Sequence, residues 1–142
     1  MIETLEIDQN NRNLVLNFLT VAGKALETFR YFSNRSLSVL DNHLCTLLLL
    51  IDKNPVCYGH LDKDGDNIWL GIAVAEKYQG QGLGSLMLNN LLEYSKANNV
   101  DIIYLTVDRD NIKAISLYEK NGFIFDKNLK KNILRYKNYV QI

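Results

Sequence analysis

A chain of 142 residues is long enough to bury one substantial core, and no repeat, low-complexity tract or Pro/Gly/Ser-rich linker divides it, so residues 1–142 are expected to form a single domain. Its 16 Lys plus Arg balance 16 Asp plus Glu, which leaves no net field to concentrate a nucleic acid or an anionic membrane surface. The acidic start Met1-Ile2-Glu3-Thr4-Leu5-Glu6 has neither a positive flank nor an apolar signal segment, and no apolar run approaches bilayer length, so a soluble, cytoplasmic protein is expected.

Thr4 to Ile7 predicts a short first strand. Leu14, Val15, Phe18, Leu19 and Ala22 then recur at the spacing of an amphipathic helix, and a second helical stretch is expected near Ser36 to Leu40. Cys45 to Ile51 and Val56 to Leu61 are apolar runs separated by Asp52-Lys53-Asn54-Pro55, which predicts consecutive hairpin strands. Cys45 and Cys57 lie in or beside those runs, so buried thiols are expected rather than a disulfide or a metal site.

Ile68 to Ala75 predicts a further strand. It runs into a glycine cluster, after which Leu83, Leu86, Met87, Asn90, Leu91 and Tyr94 share one helical face. Asp101 to Val107 predicts a strand, and Asn111 to Lys120 a helix closed by Asn121-Gly122. Phe123 to Phe125 and Ile133 to Tyr136 predict the last strands. The order β-α-α-β-β-β-α-β-α-β-β describes an α/β (α+β) domain with a mixed sheet.

Gln79-Gly80-Gln81-Gly82-Leu83-Gly84, with Ser85 next, sits where a strand hands over to a helix, so backbone N–H groups without helical partners converge there. That is an anion site, and the missing Cβ atoms of Gly82 and Gly84 would admit a pyrophosphate to the backbone. Glycines before a helix also serve tight helix-to-strand packing. A P-loop would need Gly-Lys-Ser/Thr, whereas Ser85 and Leu86 follow Gly84. A dinucleotide fold would place the glycines after the first strand of a βαβ unit, whereas several strands come first here.

The segment Gln79-x-x-Gly82-x-Gly84, entered from Ile72-Ala73-Val74, resembles the acyl-CoA pyrophosphate loop of the GNAT acyltransferases. The run Asn111-Ile112-Lys113-Ala114-Ile115-Ser116-Leu117-Tyr118-Glu119-Lys120-Asn121-Gly122-Phe123 resembles the same family's second signature, and the two motifs are separated by one strand. The family often has arginine where Gln79 stands, and glutamine is an accepted variant. The resemblance implies a mixed, mostly antiparallel sheet of about seven strands flanked by about four helices. It also implies an N-acetyltransferase that uses acetyl-CoA as co-substrate and no metal, acts on a small-molecule amine, and works as a monomer or homodimer without nucleic acid or membrane.

By that resemblance Ile72, Ala73 and Val74 hold the pantetheine arm through main chain, and Gln79 to Ser85 hold the pyrophosphate. Asn111 adds a pantetheine hydrogen bond compatible with capping its helix. Tyr118, two helical turns beyond Asn111, protonates the departing thiolate. Tyr58, His60 and Asp62 alternate on one strand face, and His60 is the candidate base, acting directly or through water, with a histidine bonded within the sheet as the alternative.

Acceptors in this family lie over the first two helices and their connection, here Gly23 to Arg35. Phe29, Arg30, Tyr31 and Arg35 are the candidate acceptor residues, the aromatics to pack on a sugar or acyl chain and the arginines to clamp phosphate or carboxylate. Phe-Arg-Tyr-Phe followed by Arg35, with Tyr-Gly-His-Leu-Asp and Trp69-Leu70-Gly71-Ile72 downstream, resembles members that act on amino sugars or nucleotide-linked amino sugars. Protein N-terminal or lysine acetylation is the alternative, although Thr106 stands where ribosomal-protein acetyltransferases of the family carry a glutamate. A non-catalytic acyl-CoA-binding module is the third reading, which the intact Tyr118 argues against.

Overall fold

The computed structural model describes residues 1–130 and 132–141. Its elements in chain order are β1 (Ile2–Glu6), α1 (Asn13–Val21), β2 (His43–Ile51), β3 (Asn54–Asp64), β4 (Asn67–Val74), α2 (Leu83–Ala97), β5 (Ile102–Asp108), α3 (Ile112–Lys120), β6 (Ile124–Lys130) and β7 (Ile133–Tyr139), with 3-10 helices at Gly23–Glu27, Leu37–Asn42 and Glu76–Tyr78. The helix expected near Ser36 is thus a 3-10 helix, with Ser36 as its N-cap accepting from the Ser38 N–H. Six residues give such a helix too little length to pay for α-helical nucleation, and only Leu40 of it is buried.

One seven-stranded sheet runs in the order β1-β2-β3-β4-β5-β7-β6. Every neighbouring pair is antiparallel except β4 and β5, which α2 joins as a crossover. The unbroken apolar run of β2 has its reason in two covered faces. Leu47 and Leu49 pack with Met87, Leu88 and Leu91 of α2, whereas Leu48 and Leu50 pack with Val15 and Phe18 of α1. Contact between α2 and β3 is so close that a Cβ on Gly59 would stand 2.5 Å from the Met87 sulfur.

The last strands are longer than the sequence pattern suggests. β6 is an edge strand whose side chains are mostly exposed, so it lacks the alternation that marks a half-buried strand and is held by its pairing with β7. No helix is long and apolar enough to cross a membrane among the described residues. Cys45 and Cys57 are buried free thiols.

The feature that positions a site is the junction of β4 and β5. These parallel strands pair only at Ile68 with Ile103 and Trp69 with Tyr104. Beyond Trp69 they diverge, so the edge of β4 from Leu70 to Val74 has no strand partner on that side among the described residues. Unpaired backbone of this kind needs water or a ligand.

Candidate active site

At the end of β4 the chain makes one 3-10 turn and reaches the glycine loop, which Gln79 ties back to the strand by donating its side-chain N–H to the Val74 carbonyl (3.1 Å). Gly82 takes φ +82° at the N-cap of α2, a left-handed conformation that favours glycine. Among the described residues none of the backbone N–H groups from Gly80 through Ser85 has a hydrogen-bond acceptor. They form a cradle of donors at the positive end of a 15-residue helix.

Gly84 discriminates between the packing and ligand explanations of the loop. A Cβ there would meet Leu117 at 3.5 Å and Val74 at 3.7 Å, ordinary contact, and the residue has no positive φ. Neither packing nor conformation therefore demands glycine at 84. A cradle that a Cβ would narrow fits a pyrophosphate lying against the backbone.

Across the splay stands α3. Asn111 caps it, its side-chain oxygen accepting from the Ala114 N–H (3.4 Å), and its side chain also borders the cavity between the strands. Tyr118 lines the same cavity from the next turns of the helix. Burial pushes its phenol up to about 12, with the nearby Cys57 adding to the effect, so the hydroxyl keeps its proton through the neutral range. Phe123 packs edge-on against it at 5.7 Å between ring centroids.

The cavity has a volume of about 480 Å³ and a mostly polar lining. Its floor comes from Leu70, Gly71 and Ile72 of β4 with Thr106, Val107 and Asp108 of β5, and its far wall from Asn111, Ala114 and Tyr118. The near wall is the segment Thr28 to Tyr31 with Arg35, joined by Asp62, Asp64 and Trp69 from the β3–β4 hairpin. All four residues expected on the acceptor side, Phe29, Arg30, Tyr31 and Arg35, therefore border it, and so do Ile72, Asn111 and Tyr118 from the expected cofactor side. Ala73 and Val74 do not, because Ala73 is buried toward α1 and Val74 packs toward α2.

Both arginines already have partners within the chain. Arg30 donates from both terminal nitrogens to Asp108, at 2.8 and 3.1 Å, and to the Glu27 carbonyl at 2.7 Å. Its hydrogen bonds hold the Asp108 carboxyl below the usual carboxylate range. Arg35 lies over the Tyr31 ring at 4.4 Å and donates to the Tyr31 carbonyl (2.8 Å). Tyr31 donates its hydroxyl proton to Asp62 (2.9 Å) and faces His43 Nε2 at 2.8 Å, while His43 Nδ1 meets Thr46 at 2.8 Å. With the phenol already donating to Asp62, the network assigns the ring proton to Nε2 and leaves Nδ1 to accept from Thr46.

His60 does not reach the cavity. It is 2% exposed, its Nδ1 is bonded to the Tyr58 hydroxyl (2.7 Å), and its Nε2 edge abuts Gly71 from beneath the strand. Burial, with the neighbouring His43 and Arg35, drives its pKa well below that of a free imidazole. The expectation that His60 serves as the base gives way to the alternative of a histidine bonded within the sheet. The residues the sequence pattern did not single out are Asp64 and above all Asp108. Asp108 lies two positions beyond Thr106 on the same side of β5, a period-two signal that was available.

Comparison with known proteins supplies the family context. The model of the acetyltransferase (GNAT) family matches residues 12–123. The spermine/spermidine N(1)-acetyltransferase of Bacillus subtilis is 39% identical over 75 residues, covering 50% of this chain and 49% of that protein. The ribosomal protein bS18-alanine N-acetyltransferase of Escherichia coli is 42% identical over 52 residues, 37% of this chain and 35% of that one. The chain spans about half the length, or less, of these curated relatives. The crystal structure of the PaiA N-acetyltransferase of Thermoplasma acidophilum, in complex with coenzyme A, shares the fold at a TM-score of 0.75 and 15% identity, covering 98% of this chain and 99% of that one.

Proposed function

The chain belongs to the acetyltransferase (GNAT) family, and on that premise we propose that residues 1–142 act as one acetyl-CoA-dependent N-acetyltransferase whose acceptor is a small cationic amine of the polyamine class. The observation that carries the acceptor is the excess of carboxylates in the lining of the cavity, where Asp62, Asp64 and Asp108 outnumber Arg30 and Arg35 beside the splayed strands. The name of the Bacillus relative agrees with that chemistry. The amino-sugar acceptor finds less support, because its phosphates would meet three carboxylates in the cavity and Arg30 already lies against one of them.

Bound acetyl-CoA would supply an acyl thioester, and this chain's residues hold and polarise it. The free N–H groups of Gly80 to Ser85 take the pyrophosphate. The unpartnered edge of β4 around Ile72 to Val74 takes the pantetheine arm as a further strand would, with one N–H aimed at the thioester carbonyl, a contribution of about 2.7 to 4 kcal/mol for such a donor. Asn111 borders the same arm, and Tyr118 keeps a proton to give to the leaving sulfur.

The amine must be neutral to attack. For a primary amine near the lysine reference of about 10.4 this costs roughly 4.6 kcal/mol at pH 7. Neither histidine is presented to the cavity as a base, so the proton leaves to solvent at the open mouth. The test is a panel of amines with acetyl-CoA, reading thiol release: spermidine, a simple diamine, a nucleotide-linked amino sugar and a peptide with N-terminal alanine. Turnover of the polyamines is expected. Turnover confined to the peptide or the sugar overturns the acceptor, and binding of acetyl-CoA without turnover of any amine returns the module reading.

A further inference from the structure

We propose that Asp108 is the subsite for a second, non-reacting cationic nitrogen of the acceptor, and that Arg30 occupies it as a stand-in which the acceptor displaces. This rests on the cationic-amine reading above and adds a selectivity to it.

The geometry begins with where the pair sits. Arg30 and Asp108 both border the cavity and are 78 residues apart in sequence, so their contact joins the acceptor segment to the end of β5 across the splay. The contact is two-pronged, the geometry by which a guanidinium satisfies a carboxylate. Yet Arg30 is 49% exposed and Asp108 21%, so water and solutes reach the pair, and an exposed pair of this kind contributes little to stability.

Exchange is chemically balanced for Arg30 and unbalanced for Asp108. Released from the carboxylate, the guanidinium keeps its bond to the Glu27 carbonyl and gains water. Asp108 makes no other side-chain hydrogen bond among the described residues, so without Arg30 it presents an uncompensated negative charge to the cavity. Arg35 stays engaged on the Tyr31 ring. A ligand ammonium is the group that replaces the guanidinium there.

That ammonium is not the one that reacts. A nitrogen held on a carboxylate is stabilised as the protonated form, and its electron pair stays in the N–H bond. An acceptor with one nitrogen must therefore choose between binding at Asp108 and attacking the thioester. An acceptor with two can keep one charged on Asp108 while the other is delivered neutral toward Tyr118. The site thereby favours diamines and polyamines over monoamines.

The experiment compares spermidine with n-hexylamine as acceptors at saturating acetyl-CoA, for wild type, Arg30→Gln and Asp108→Asn, with thermal unfolding to confirm that each variant folds. Arg30→Gln removes the competitor, so the KM for spermidine falls about two- to fivefold, the range an exposed ion pair can contribute. Asp108→Asn raises it about tenfold or more. The KM for hexylamine and that for acetyl-CoA stay within twofold, about the scatter of independent surface sites. A rise in the spermidine KM on Arg30→Gln, or equal shifts for both amines on Asp108→Asn, overturns the subsite and makes the pair a brace for the acceptor segment. Calorimetric titration of spermidine separates the two readings. If no amine is turned over but Arg30→Gln still tightens spermidine and Asp108→Asn weakens it, the activity fails and the subsite stands; if amines are turned over and neither variant changes spermidine binding, the subsite alone fails.

Discussion

Replacing Gly71 by alanine tests the placement of His60 beneath β4. The new Cβ would stand 2.6 Å from His60 Nε2, 2.7 Å from Cε1 and 3.2 Å from Cδ2. Non-bonded atoms prefer about 3.5 to 4 Å, so the imidazole would have to retreat by roughly an ångström. It has little room to do so. The Tyr58 hydroxyl holds Nδ1 at 2.7 Å, and the rings of Tyr31 and His43 lie 4.3 and 4.5 Å away between centroids. Overpacking of this sort costs about 1 to 3 kcal/mol, which for a chain of this size corresponds to a fall in Tm of roughly 2 to 12 °C. Urea unfolding should give the same loss with an unchanged m-value. The discriminating measurement is a double-mutant cycle with His60→Ala, in which Gly71→Ala should become nearly neutral because the added methyl fills vacated space. An equal penalty in both backgrounds, or a single variant within about 0.5 kcal/mol of wild type, would show that the ring is not where the structure puts it.

Three further outcomes follow from the same geometry. Gly84→Ala should leave Tm nearly unchanged, because its Cβ meets only ordinary contacts, yet weaken acetyl-CoA in calorimetry, and Gly82→Asp should abolish that binding; a Gly84→Ala variant with full affinity removes the case for close approach. Tyr118→Phe should lower the single-turnover rate by about 10²- to 10⁴-fold if thiolate departure limits turnover, and because burial carries the phenol up to about 12, the wild-type rate should rise with pH toward the amine's own pKa without the plateau near 6.5 of a histidine base; overlaid wild-type and Tyr118→Phe profiles would make Tyr118 a packing residue. Burial drives His43 down to about 4 and lowers His60 as well, so the folded state binds fewer protons than the unfolded one in mild acid; stability should be flat above about pH 6.5 and decline from there to about pH 4, and a His43→Gln variant with an equally steep decline would exclude His43 from it.

The sequence by itself determined what is local. A glycine loop between strand and helix exposes backbone donors wherever it occurs, and Asn111 at a cap with Tyr118 two turns later is a spacing on one helix, so both halves of the proposed cofactor side were legible as local patterns before any tertiary contact was known. The apolar run of β2 likewise announced a strand, and the two helices that cover its faces give the run its reason. Edge strand β6 was legible only at its start, because an exposed strand has no side-chain pattern and exists through its hydrogen bonds to β7. What the tertiary structure alone decided is the fate of each charged or titratable side chain on the acceptor side. His60, read as a base from its alternation with Tyr58 and Asp62, lies on the expected face, but that face is closed over by Phe29, Tyr31 and Phe32. Arg30, read as an anion clamp, meets Asp108, a residue 78 positions away that only the splay of β4 from β5 brings opposite it. Periodicity assigns a side chain to a face of its own element. Whether that face meets water, a ring or an opposite charge depends on elements distant in sequence, and that decides whether the group titrates, binds or packs.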